Sequence, residues 1–257
     1  MRDCTFFYLS DSFFLGPEGP VANWAENKGL PAIDRMRKVI QEAPLNHGQA
    51  GLLIKDDLLH PLRVDLEEKV PAKERSQYLL WKLKRFLPYP VDQVSLRYLP
   101  LAEENNYLTF SLPTAWTQAV HEAFKARGVH CGYMSGLFAS LLENLTAMRG
   151  QTVIGFFEDC YLAASLDRNG TYQEMRTRRL PLLQDGNLDT QTLINADLAF
   201  LQQRTEPISI LCFAPAYDQA VQDLCTALEV PSFPGGTASP SALDRFHQAM
   251  QIKAVGP

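Results

Sequence analysis

The order of elements in this chain repeats, and that repetition restricts its fold more than any single motif does. In the first half, Cys4 to Leu9 and Ser12 to Leu15 read as strands, and the turn Gly16-Pro17-Glu18-Gly19-Pro20 leads towards a third. A helix from Pro31 to Glu42 follows, with Ile33, Met36, Val39 and Ile40 at helical spacing and Pro31 suited to its first turn. Gly51 to Ile54 is then a short buried strand. The second half opens alike, with strands over Thr152 to Phe157 and Tyr161 to Leu166, the hairpin turn Asp167-Arg168-Asn169-Gly170, and a third strand from Thr171 to Arg179. A helix from Thr190 to Gln203, a strand from Ile208 to Phe213, a helix from Tyr217 to Leu228 and a last helix capped at Ser239-Pro240 complete it. Three strands, a helix, a strand and further helices, given twice, predict an α/β chain of two lobes, residues 1–149 and 150–257, meeting at Gly150. Its 257 residues suffice for two such cores.

Residues 55–106 interrupt the first lobe as an insertion between the strand ending at Ile54 and the next strand, Tyr107 to Leu112. Within it, Ser76 to Tyr98 reads as an amphipathic helix that stops at Pro88-Tyr89-Pro90 and gives way to a short strand. The apolar residues Tyr78, Leu79, Trp81, Leu83, Phe86 and Leu87 lie on more than one side of that helix, so part of its surface belongs to the insertion's own core and part is available to a partner. After the insertion, a helix runs from Leu112-Pro113-Thr114 to Arg127 with Gly128 at its stop, followed by a strand from Val129 to Tyr133 and a helix from Leu137 to Met148.

Charge and cysteine usage narrow the function classes. A net charge of −5 argues against a general nucleic-acid binder, which would show a basic face or stripe. Cys4, Cys131, Cys160, Cys212 and Cys225 are odd in number, widely spaced and set among apolar neighbours, as expected of reduced thiols in a cytoplasm. None forms a Cys-x-x-Cys or a zinc-spaced Cys/His cluster, so no metal is expected. The N-terminus lacks a signal peptide's apolar run, and no apolar stretch approaches the roughly 20 residues of a membrane helix. Any membrane association is therefore expected to come through a partner.

Two blocks resemble PilM-like proteins, the actin-fold cytoplasmic components of type IV pilus and type II secretion machines. One is Trp81-Lys82-Leu83-Lys84-Arg85-Phe86-Leu87-Pro88-Tyr89-Pro90 followed by Tyr98; the other joins Phe110-Ser111-Leu112-Pro113, Val120 to Gly128, and Met134 to Leu142. The resemblance implies an actin-like, duplicated ribonuclease-H-like fold with an α+β insertion in the first lobe. It further implies a scaffold that binds the cytosolic, PilN-like tail of a single-pass inner-membrane protein, and leaves room for a homo-oligomer. By that resemblance Tyr78, Trp81 and Arg97 are the expected partner contacts. The related GspL-type proteins carry a membrane helix after such a domain, and none is seen in this sequence.

The actin-fold ATP site needs an Asp-x-Gly strand opening each lobe, where the carboxylate holds Mg²⁺ and glycine lets backbone N–H groups reach phosphate, and a late Gly-Gly pair for the adenosine. Here the first lobe offers Ser10 and Asp11, with Asp11 in the turn rather than on the strand. The second lobe has Gly155 in place of the aspartate and Phe157 in place of the glycine, and Ala214 lies in the stretch that replaces the late pair. All three losses act in one direction, so the expectation is a pseudo-ATPase with no cofactor and no catalytic residues. The alternative is a divergent ATP-binding enzyme of the actin and sugar-kinase superfamily.

Other candidates for chemistry have simpler explanations. His130 and Cys131 are neighbours on a strand and point to opposite faces. Gly132-Tyr133-Met134-Ser135-Gly136 lacks nucleophile-elbow spacing. The pairs Asp56-Asp57, Glu67-Glu68 and Glu103-Glu104 fall in polar stretches where solvated charge is normal. Glu158-Asp159 is the best remaining metal candidate, with Asp159 read as a turn residue. Arg176, Arg178 and Arg179, and separately Lys82, Lys84 and Arg85, form small basic clusters suited to an acidic partner, lipid headgroups or solvent.

Overall fold

Phe7, Tyr8 and Leu9 are all fully buried, which an alternating half-exposed strand does not allow. Their strand is the middle of a sheet covered on both faces. The computed structural model describes residues 4–24, 29–45, 48–144, 148–157, 159–184, 187–193, 195, 206–230 and 232–233. They fall into two compact units, Met1–Ser140 and Leu141–Pro257. The division lies inside a helix upstream of Gly150.

The first unit begins with β1 (Cys4–Leu9), β2 (Phe13–Gly16), β3 (Gly19–Asn23), α1 (Ile33–Glu42) and β4 (Gly48–Ile54). It continues with β5 (Leu62–Asp65), α2 (Ala72–Leu83), β6 (Val94–Pro100), β7 (Asn106–Pro113), α3 (Thr114–Ala126), β8 (Val129–Gly136) and α4 (Leu137–Asn144), the last crossing the division. The main sheet has the order β3-β2-β1-β4-β8, antiparallel through the two local hairpins and parallel from β1 to β4 to β8. Parallel neighbours need a crossover, which α1 supplies between β1 and β4. Helix α1 buries Met36, Val39 and Ile40, and α3 buries Trp116, Val120, Ala123 and Phe124, against the same core. Phe7 and Phe14 stack at 5.5 Å within it, and the Trp116 indole N–H donates to the Pro31 carbonyl at 2.9 Å.

The second unit repeats this plan. Its elements are β9 (Thr152–Phe156), β10 (Cys160–Leu166), β11 (Tyr172–Arg179), β12 (Ile208–Cys212), α5 (Asp218–Leu228) and β13 (Ser232–Phe233). The order β11-β10-β9-β12-β13 matches that of the first sheet strand for strand, with the same antiparallel and parallel pairs. Asp167 holds the β10–β11 turn by accepting the backbone N–H groups of Asn169 and Thr171, both at 2.8 Å. The expected helix from Thr190 to Gln203 lies largely outside the described residues, and the helix at Ser239-Pro240 lies wholly outside them.

The insertion forms a third sheet, β5-β7-β6, antiparallel throughout. Strand β7 was expected to continue the first lobe, but it pairs with β5 and β6, so this sheet reaches Pro113. Helix α2 packs Leu79 and Leu83 on one face of it, against Val64, Leu66, Val70 and Tyr107, with Leu96 and Tyr98 alongside. The other face carries Phe110 and Leu112 into the core of the first unit. Helix α2 is shorter than the sequence implies. It ends at Leu83, and turns closed by the N–H groups of Phe86 and Leu87 onto the Leu83 carbonyl carry the chain to the two prolines.

None of the five cysteines is in a disulfide; Cys131 in the first unit and Cys160, Cys212 and Cys225 in the second are buried. Among the described residues, no helix is long and apolar enough to cross a membrane.

Candidate functional site

Where parallel strands of an open α/β sheet end, the loops part and leave backbone groups for a ligand. In the first unit the carboxyl ends of β1, β4 and β8 bring together Ser10, Asp11, Lys55, Asp56, Asp57 and Gly136. The turn after β1 is closed from within. The Ser10 hydroxyl oxygen accepts the backbone N–H groups of Ser12 at 3.1 Å and Phe13 at 3.0 Å, and the Ser10 N–H donates to the Phe13 carbonyl. Ser10 itself is fully buried. The donors that would face a phosphate in a nucleotide-binding hairpin are thus turned onto the chain's own side chain.

Lys55 and Asp56 follow β4 directly. The pair Asp56-Asp57 was expected to be solvated; instead Asp56 is completely buried. Its two carboxylate oxygens accept the N–H groups of Phe138 at 2.7 Å and Ala139 at 3.0 Å, buried donors in the first turn of α4. A helix N-terminus is a ready anion site, and here the chain supplies the anion. Burial pushes the Asp56 carboxyl up to about 7, against the two backbone donors, which pull it down. Lys55, also fully buried, sets its ammonium 3.5 Å from Asp11 and 3.3 Å from Asp57. It lies between the two carboxylates and offsets one of their two negative charges.

Lys55→Met is expected to cost about 2 kcal/mol of stability, read by denaturant unfolding. That is below the 3–5 kcal/mol of a fully buried pair, because Asp11 and Asp57 keep some contact with water.

At the corresponding strand ends of the second unit, aromatic rings fill the space. Phe157 and Phe213, both buried, stack with centroids 4.9 Å apart and planes at 18°. The Phe213 N–H donates to the Phe156 carbonyl at 2.8 Å and the Phe157 N–H to the Cys160 carbonyl at 2.9 Å. Gly155 sits on β9 between Leu162 of β10 and Leu211 of β12, and Ala214 is buried beside the Phe pair. Glu158 lies outside the described residues, and Asp159 accepts the Leu180 N–H through its carbonyl at 2.9 Å.

Ser10 and Asp11 thus lie at the strand ends of the first unit, and Gly155, Phe157 and Ala214 on or just after β9 and β12 of the second. The expected partner contacts do not share one face. Tyr78 and Trp81 lie together, 5.9 Å between rings, on the exposed side of α2. Arg97 alternates with Leu96 and Tyr98, which face α2, and it pairs with Phe110, so it projects from the opposite face of the sheet. Lys55, Asp56 and Gly136 were not singled out as a group. The signal available was a charged Lys-Asp-Asp placed abruptly at the end of an apolar strand, and a glycine directly before a helix.

Chains of similar fold are found among solved structures. One is a Bacteroides thetaiotaomicron protein with an actin-like ATPase fold and unknown function, 11% identical, with a TM-score of 0.59 over 96% of this chain and 95% of that one. A second is a chain of a PilM–PilN type IV pilus biogenesis complex, 16% identical, with a TM-score of 0.61 over 99% of both chains. The fold is actin-like. A third counterpart is the cytoplasmic domain of EpsL, an inner-membrane component of the type II secretion system of Vibrio cholerae, 12% identical, with a TM-score of 0.55 over 98% of this chain and 94% of that one. No protein-family model and no curated protein matches the sequence.

Proposed function

We propose that this protein is a non-catalytic scaffold of a type IV pilus or type II secretion inner-membrane platform, binding the cytosolic tail of a single-pass membrane protein. The observation that carries the non-catalytic part is the internal use of phosphate-facing donors. Ser10 takes those of the β1–β2 turn and Asp56 those of α4, while Phe157 and Phe213 fill the second unit's strand ends. The assembly part is supported by the likeness to a PilM–PilN chain and to the EpsL domain. Calorimetric titration with Mg-ATP is expected to give no saturable heat. Binding at micromolar strength would overturn the pseudo-ATPase reading in favour of a divergent ATP-binding enzyme.

For the tail, the geometry favours the outer edge of β6. Among the described residues β6 pairs only with β7, leaving one row of backbone groups open to an added strand. Arg97 is exposed on that strand. A photo-crosslinking residue in place of Arg97, in cells, is expected to capture the cytosolic segment of a single-span membrane protein, identified by mass spectrometry. Crosslinks confined to soluble proteins would overturn the tail assignment.

A further inference from the structure

The outward face of α2 is unused by the β6 assignment, and its chemistry differs from the rest of the surface. Trp81 is 65% exposed, Phe86 69% and Tyr78 41%, the three most exposed aromatic rings of the described residues. Tyr78 and Trp81 stand on the outer side of α2, whose inner side, Leu79 and Leu83, is packed on the sheet, and Phe86 lies in the turn that follows the helix. From residue 75 to residue 91 the sequence holds Arg75, Lys82, Lys84 and Arg85 and no carboxylate, in a chain of net charge −5. Arg75 turns inward over the Tyr107 ring, and Lys82 bonds Glu67 at 2.8 Å, which leaves Lys84 and Arg85 as the outward cations, flanked by Trp81 and Phe86.

We infer that this face binds an anionic phospholipid surface directly, with Trp81, Tyr78 and Phe86 entering the headgroup region and Lys84 and Arg85 meeting lipid phosphates. Amphipathic aromatic rings settle at the headgroup level, and neighbouring cations are drawn to an anionic surface. Protruding rings need a partner that yields to them, as a bilayer interface does. A twofold dimer through this face would set Lys84 and Arg85 against their own copies, so a second chain is disfavoured. The inference rests on surface chemistry alone. Lipid binding without tail capture would leave it standing, and tail capture without lipid binding would overturn it alone.

The test is flotation of the full chain with vesicles of phosphatidylcholine, with and without phosphatidylglycerol, at low and physiological ionic strength. Flotation is expected only with phosphatidylglycerol, stronger at low salt, with a blue shift of tryptophan emission, since Trp24 and Trp116 are already buried. Trp81→Ala with Phe86→Ala is expected to lower partition at least tenfold, and Lys84→Ala with Arg85→Ala to remove the preference for anionic lipid. All four positions are exposed, so the unfolding midpoint should not move. No flotation at low salt, equal flotation with neutral vesicles, or a concentration-dependent dimer abolished by Trp81→Ala would each overturn the assignment.

Discussion

Asp56→Ala is expected to destabilise the first unit by about 2–4 kcal/mol near pH 5, because it leaves the buried N–H groups of Phe138 and Ala139 without an acceptor and α4 without its cap. The loss should shrink as pH rises. In the unfolded chain the carboxyl has its ordinary value of 3.8, and burial lifts it to about 7 in the fold. The neutral form therefore favours the folded state. Its contribution is complete below 3.8 and is lost as pH rises through 7, for a total of about 4 kcal/mol. Asp56→Asn, which does not titrate, gives the reference: wild-type stability measured against it should fall across that window. A flat difference would show that the carboxyl is not held in the buried geometry.

Gly136→Ala tests the same contact from the other side. A Cβ there would stand 2.6 Å from the Asp56 Cγ and closer still to Oδ1, and Asp56 cannot swing away without releasing both N–H groups. The single change is expected to cost about as much as Asp56→Ala. The double variant should cost no more than Asp56→Ala alone, since the clash disappears with the carboxylate. Additive losses would sink the claim that the two positions act through one contact.

Phe157→Ala is expected to cost about 3–5 kcal/mol, since it deletes a fully buried ring and half of a stacked pair. At roughly 2–4 °C per kcal/mol for a domain of this size, the unfolding midpoint should drop by about 6–20 °C. Phe157→Leu leaves a smaller cavity and should cost clearly less. A loss under about 1 kcal/mol for the alanine variant would mean that the strand ends of the second unit are loosely filled, contrary to the stacking of Phe157 on Phe213.

The repeated strands and helices were legible because their cause is local. Met36, Val39 and Ile40 announce the buried face of α1 by spacing alone, and Asp167 to Gly170 carries its own turn chemistry. The placement of β7 was not legible, because an apolar strand does not state which sheet it will join; Thr109 and Phe110 serve the two faces of the inserted sheet instead. The buried role of Asp56 was hidden for a related reason. Its partners are N–H groups of Phe138 and Ala139, far along the chain, and charge in a polar context reads as solvated. The resemblance groups Arg97 with Trp81, whereas the two-residue period of β6 sends it to the other side of the sheet.

The distribution of the buried thiols has a practical consequence. Cys131 reports on one compact unit and Cys160, Cys212 and Cys225 on the other, all shielded in the native state. Reaction with a thiol reagent, resolved by peptide mass, would clock the opening of each unit separately in the unmodified protein. The chain thus carries an internal pair of stopwatches, able to say whether its two halves come apart together or in turn.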